Sequence, residues 1–156
     1  MKSYIAYPIA FLGVILAVVL GARFADGPIG PFPGGSLKTG ERIGVGAFRP
    51  PLVRNGRWEL EIDGRSRAVA MFLIDGGLFA MRPSIATPFG WSQAAQRKHS
   101  ASVRIDNSLF DVSVQRVVAG DVRLPKIRQV FEENLAVSGV GTDPGTWFFE
   151  LVPVMN

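Results

Sequence analysis

Four turn dipeptides divide the chain: Asn55-Gly56, Asp63-Gly64, Asp75-Gly76 and Asp106-Asn107. Asn and Asp tolerate left-handed backbone and Gly adopts it freely, which is what two-residue hairpins need. The runs between them are short and strand-like. Arg57–Ile62 alternates, with Trp58, Leu60 and Ile62 on one face. Ala68–Ile74 is apolar throughout, as in a strand covered on both sides. Leu78–Met81, Ser102–Ile105, Leu109–Val117 and Trp147–Val152 read as further strands. Two stretches depart from this pattern. Trp91–His99 is built of helix formers, and Pro125–Leu135 opens with a proline suited to a first helical turn. In the latter, Ile127, Val130, Phe131 and Leu135 recur at helical spacing, with Lys126, Arg128, Glu132 and Glu133 outward. Six or seven strands, two short helices and close hairpins predict a mainly β domain, a small barrel with helices plugging its gaps.

Ahead of this body, Tyr4–Ala22 carries no charge and is bracketed by Lys2 and Arg23. A run of that length just spans a hydrocarbon core. Tyr4 and Tyr7 suit an interfacial belt. The rival, a cleaved signal peptide, has a shorter apolar core and small residues at its cleavage site, where this chain has Arg23 and Phe24. The expectation is an uncleaved anchor over residues 1–25, a Gly/Pro-rich ordered connector over 26–53 and the barrel domain over 54–156. Gly13 and Gly21, with Ala10 and Ala17, make a small-residue face that lets another helix approach. Lys2 opposes Arg23, Lys38 and Arg42, so the positive-inside count does not orient the helix. The short amino-terminal tail favours an inside start, placing the domain on the periplasmic side of a bacterial inner membrane.

The connector holds "DGPIGPFPGGSLKTG", Asp26–Gly40. A flexible tether is rich in Gly and Ser. Here Pro28, Pro31 and Pro33 limit the backbone, and Ile29, Phe32 and Leu37 offer apolar contacts. The segment reads as an ordered collar that holds the domain close to the membrane.

Composition removes several function classes. There is no cysteine, so disulfides, thiolate nucleophiles and zinc-thiolate sites are excluded, and the single histidine, His99, excludes sites that need several imidazoles. Beyond Arg23, 15 Lys+Arg face 13 Asp+Glu, scattered singly, so nothing marks a nucleic-acid footprint. Asp63, Asp75 and Asp106 lie in turns, where Asp bonds its own backbone. Glu132 and Glu133 are adjacent and point apart on a helix. "GVGTDPG", Gly139–Gly145, follows a helix and precedes a strand, the reverse of a phosphate loop. His99, at a helix end beside Lys98, reads as a cap or surface residue. The aromatic residues, from Phe32 and Phe48 to Trp147, Phe148 and Phe149, read as core.

The order of segments "GPFPGG", "AMFLIDGGLFAM", the Trp91 helix, "SVRIDNSLFDVSVQRV" and "TWFFELVP" resembles the split β-barrel superfamily of FMN- and deazaflavin-binding proteins. That superfamily includes pyridoxamine-phosphate-oxidase-like and nitroreductase-like members, some of them membrane-anchored with a "GPxPGG" segment. The resemblance, over about residues 26–154, implies a cofactor phosphate held by Arg82, Ser84, Thr87, Arg97 and Lys98, with Trp91 at the pocket edge. It also implies a site completed across a homodimer. The chain departs from the pattern at Gln93 and Ala94, where similar proteins carry Arg and Asn, which removes one phosphate-type charge. The alternative to a phosphate site is a solvated loop and helix end, where cations favour the dipole.

Two functions follow. The first is a non-catalytic accessory or scaffold subunit. It would bind and stabilise a larger membrane protein complex through the Gly13/Gly21 face and Asp26–Gly40. The second is an FMN- or deazaflavin-dependent oxidoreductase at the membrane, in which the cofactor carries the hydride chemistry.

Overall fold

The structure, a computed structural model, describes residues 3–44, 58–86, 90–135 and 142–154, with side chains in the first helix from Tyr7. In chain order come helix α1 (Ser3–Ala22) and strands β1 (Glu41–Arg42), β2 (Trp58–Ile62), β3 (Arg65–Ala68), β4 (Met71–Ile74) and β5 (Gly77–Arg82). A 3-10 turn at Ser84–Ala86, α2 (Trp91–Lys98), β6 (Ser100–Ile105), β7 (Ser108–Arg116), α3 (Leu124–Leu135) and β8 (Trp147–Pro153) complete the order. The strands form one sheet ordered β3-β2-β6-β7-β8-β5-β4, with β1 pairing parallel to the start of β7.

Strands β3 and β4 lie at opposite ends of that order. In a flat sheet six strand spacings would hold them about 29 Å apart. In sequence only Val69 and Ala70 separate them, and three Cα–Cα steps reach at most about 11 Å. The sheet must therefore curl until its edges meet. Val69 N donates to Trp58 O on β2 at 3.2 Å, and Ala70 O accepts from Met81 N on β5 at 3.3 Å, so the link is clamped on both sides. The outcome is a mainly β, split barrel with its seam between β3 and β4. The expectation of one strand over Ala68–Ile74 is corrected: the run contains a corner. It is apolar throughout because Val69 and Met71 face the barrel interior while Ala70 and Phe72 pack under α3.

The interior is filled from both halves of the sheet, by Leu60, Ile62, Val103 and Val112 on one side and Leu78, Ala80 and Phe149 on the other. Helix α2 adds Trp91 and Ala95 to the same core. Helix α3 covers the outer face of β4, β5 and β8, burying Ile127 and Phe131 against Phe79 and Phe148. Adjacent Phe148 and Phe149 thus serve opposite faces of β8, as a two-residue period requires. Asp63, Asp75 and Asp106 adopt left-handed backbone, with φ of 57°, 50° and 53°, and His99 caps α2, its N donating to Ala95 O at 3.0 Å. Asn55-Gly56 and Phe48 lie outside the described residues.

Helix α1 is uncharged, and Tyr7, Phe11, Leu12 and Leu16 are exposed around it. Among the residues described with their side chains, which in α1 begin at Tyr7, no helix is long and apolar enough to cross a membrane. A Cβ on Gly13 or Gly21 would meet nothing within 4 Å.

The segment after α1 is bonded to the outer face of β2, β3 and β6. That face is polar: Glu59 lies opposite Arg104, and Glu61 opposite Ser66. Arg104 Nε donates to Glu59 Oε2 at 2.7 Å, and Arg104 Nη1 donates to Asp26 Oδ2 at 2.9 Å and Thr39 O at 3.1 Å. Asp26 accepts from the Lys38 amide at 2.6 Å and from the Thr39 hydroxyl, which ties the two ends of the segment together. Leu37 N donates to Glu61 Oε2 at 2.7 Å. Gly34 extends the edge of β3, donating to Ser66 O at 2.9 Å. Between these anchors Ile29 and Phe32 close a tight turn through Gly30, whose φ of 56° suits the first position of a type II′ turn. Of the three apolar residues read as docking contacts, only Leu37 is buried; Phe32 is partly covered and Ile29 is exposed. The segment is held by charge and backbone pairing instead. Glu59 is 1 % exposed, and stranding such a charge by removing its partner costs about 3–5 kcal/mol.

Two predictions follow from this attachment. A Cβ on Gly34 would fall 1.8 Å from Gly27 O. Gly34→Ala should therefore lower stability by roughly 2 kcal/mol or more and expose residues 26–40 to limited proteolysis. An unchanged melting curve would contradict this close approach. Burial opposes ionisation of Asp26, but hydrogen bonds from Thr39, the Lys38 amide and Arg104, with the Arg104 charge, outweigh it and bring its pKa down to about 2. The stabilisation is complete above the unfolded value of 3.8 and is lost as pH falls towards 2. Its size is about 1–2 kcal/mol after solvent screening. The difference in melting temperature between wild type and Asp26→Asn in detergent should be constant above pH 5 and shrink between pH 4 and 2.

Candidate functional site

The inner face of the β3 edge carries charge where the rest of the barrel carries apolar groups. Arg67 is paired with Leu60 and Arg65 with Ile62 across β2. Directly opposed residues share a face, so both arginines stand on the side of the core. Neighbouring Ser66 points the other way and is buried, its hydroxyl donating to Gly35 O at 2.6 Å. At this edge the core face opens into a cleft of about 660 Å³, lined by Arg23, Arg65, Arg67 and Arg97, with Ile62, Asp63, Gly90, Gln93 and Ala94 completing the wall. Helix α2 and strand β3 both line it, and the turn after α1 contributes Arg23.

The cleft is electrostatically unbalanced. Its carboxylate, Asp63, lies 3.6 Å from Lys98 Nζ. Among the described residues, Arg23, Arg65, Arg67 and Arg97 have no ion-pair partner. Arg67 Nε is buried with no hydrogen-bond partner among the described residues. Burial, then the nearby charges of Arg82 and Arg65, hold the Arg67 guanidinium below the ordinary arginine value. Arginine stays protonated at neutral pH even so. Arg67 and Arg82 converge on Gly90: a Cβ there would lie 2.8 Å from Arg67 Nη1 and 3.3 Å from Arg82 Nη2. With a φ of 73° as well, that position favours glycine twice over.

The six residues named from sequence are only partly brought together. Arg97 lines the cleft, and Arg82 sits behind it beside Arg67, its Nε donating to Ala86 O at 3.0 Å. Lys98 is at the rim with Asp63. Ser84 instead donates to Asp143, in the turn before β8. Trp91 is a core residue, 2 % exposed, its ring 4.9 Å from that of Phe149. Thr87 lies outside the described residues. Gln93, which departs from the resembled pattern, lines the cleft. Arg23, Arg65 and Arg67 were not anticipated. Their signal is faint: Arg65-Ser66-Arg67 puts polar residues on both faces of one strand.

The other candidates resolve as structure. Glu132 accepts from the Thr142 hydroxyl and Glu133 from Gln129 Nε2 at 2.8 Å, so they do point apart. Asp75 pairs with Lys126 at 2.6 Å on the surface. Among the described residues no three His, Cys, Asp or Glu side chains could hold a metal ion together.

No family model matches this chain, and no curated protein matches it. Among solved structures, a chain from Listeria innocua described as a "Putative Pyridoxamine 5'-phosphate oxidase" is similar at 13% identity, with a TM-score of 0.47. The match covers 62% of this chain and 82% of that one. At that score the likeness carries no weight, and the fold rests on the strand order and its closure.

A charge cluster held for binding works against the empty fold. Arg67→Leu removes a desolvated, repelled cation next to Leu60. It should leave the melting temperature unchanged or raise it by about 2–4 °C, measured by circular dichroism in detergent without added anion. A clear loss of stability would show that Arg67 is a structural residue.

Proposed function

We propose that this chain is a membrane-anchored, non-catalytic barrel that binds a phosphate-bearing anion in the arginine cleft and acts as an accessory subunit beside an integral membrane protein. The observation that carries this reading is the convergence of Arg23, Arg65, Arg67 and Arg97 on one cleft whose carboxylate is already taken by Lys98. Four guanidiniums repel one another, and a phosphate answers them with charge-assisted, often bidentate, hydrogen bonds. The volume falls in the range of small-molecule sites.

Anchoring is supported by the backbone of α1. Its 20 residues contain no charge, and at 1.5 Å per residue they measure about 30 Å, the thickness of a hydrocarbon core. From Tyr7 to Gly21 every residue is exposed and none is charged, as in a helix surrounded by lipid and unlike one lying flat with a polar face. The open flank at Gly13 and Gly21 offers close approach to a partner helix.

The second reading, an FMN- or deazaflavin-dependent oxidoreductase, is favoured by the sequence resemblance and by the phosphate-type charges. The residues present fit the phosphate and not the ring system. Trp91 is sunk in the core, and Trp147 is covered by Arg116, whose guanidinium lies 3.8 Å from the ring centre. The apolar side chains in the cleft wall are Ile62 and Ala94, too small to stack a flavin. A partner protomer would have to supply that surface.

Thermal unfolding in detergent tests the choice. Millimolar pyrophosphate should raise the wild-type midpoint by about 2–4 °C and have less than half that effect on Arg97→Gln. No shift with any phosphate anion would end the reading, and a stoichiometric flavin or deazaflavin absorbance band in the purified protein would replace it with the oxidoreductase.

A further inference from the structure

We infer that the anion taken by the arginine cleft is the phosphate of an anionic membrane lipid, drawn from the leaflet in which α1 ends; this rests on the anion-binding and anchoring readings. The link is Arg23. It is the residue next to α1, and it lines the cleft. The chain there has no slack. Arg23 N, Phe24 N and Ala25 N donate back to Leu20 O, Gly21 O and Ala22 O at 3.3, 3.0 and 3.1 Å, so the helical winding runs on past Ala22. Gly35 N donates to Ala25 O at 3.1 Å, and a Cβ on Gly35 would fall 2.4 Å from Arg23 O. Ala22 is 1 % exposed. The helix end is therefore fixed against the barrel, and the cleft cannot swing away from it.

Depth follows from that rigidity. The exposed apolar side chains of α1 continue to Leu20, and Phe24 beyond them is 84 % exposed, the position of an interfacial aromatic. Arg23, and with it the mouth of the cleft, then lies at headgroup level. Lipid phosphate is abundant there, whereas a soluble anion must arrive from water. Basic residues near an anionic surface are drawn to it, and here Arg23, Arg65, Arg67 and Arg97 line one cleft.

The experiment uses the full chain in nanodiscs of phosphatidylcholine with or without phosphatidylglycerol, with lipid retention read by native mass spectrometry. Wild type should retain phosphatidylglycerol roughly tenfold better than Arg67→Leu/Arg97→Gln, and Arg67→Lys/Arg97→Lys should restore part of it. Should the double variant melt early in phosphatidylcholine discs, Arg97→Gln alone, on an exposed helix face, takes its place. Equal retention by wild type and variant would mean general surface attraction and overturn the inference. Inorganic phosphate or glycerol 3-phosphate that stabilises the protein in phosphatidylcholine discs, with no selective retention of phosphatidylglycerol, would overturn the lipid and leave the anion site standing. No response to lipid or free anion would remove both.

Discussion

The short link Val69-Ala70 is the constraint on which the rest of the molecule depends. It joins strands that the hydrogen-bond order puts at the two ends of the sheet. Curling is therefore a covalent necessity, before any side chain is considered. Curling creates the closed interior filled by Leu60, Val103, Val112 and Phe149. It also leaves the seam at β3, where the sheet is not continued by β4. An edge strand of this kind invites unwanted pairing. Here the edge is occupied by Gly34 and Gly35, which share Ser66 N as a donor.

The two faces of β3 and β2 handle charge in opposite ways. On the outer face Arg104 pairs with both Glu59 and Asp26, the latter supplied by the segment that follows α1. On the inner face Arg65 and Arg67 carry no such partner among the described residues and look into the cleft. The first arrangement fixes the end of α1 to the wall, and the second leaves a charge to be met from outside. That contrast within one pair of strands separates a structural ion network from the proposed binding site. The core at the seam is correspondingly poorer, since arginines stand where apolar residues would serve stability better.

Local features were legible in the sequence, and relations between distant segments were not. The Asp turns, the α2 and α3 helices and the β6–β7 hairpin follow from backbone preferences within a few residues, and the structure contains them. The corner at Val69 was hidden because both of its flanks are apolar for different reasons, one facing the interior and one facing α3. The two-residue strand β1 exists because Asn107 O and Leu109 O accept from Glu41 N and Ile43 N; nothing in Glu41-Arg42 alone marks a strand. Arg97 was named through the resemblance, which matches it at the end of a recognisable helix. Arg65-Ser66-Arg67 falls between the strands read from sequence, and the side its arginines take follows only from their register against Ile62 and Leu60.

The ring closed by Asp26 with Lys38 and Thr39 has a mechanical consequence. Its two ends meet at Arg104, on a strand in the barrel wall. Tension arriving along α1 passes at Asp26 into that wall. The turn at Ile29–Phe32, lying inside the ring, is shielded from the load. The helix and the barrel thus move as one lever, and a tilt imposed on the helix by its surroundings becomes a tilt of the cleft.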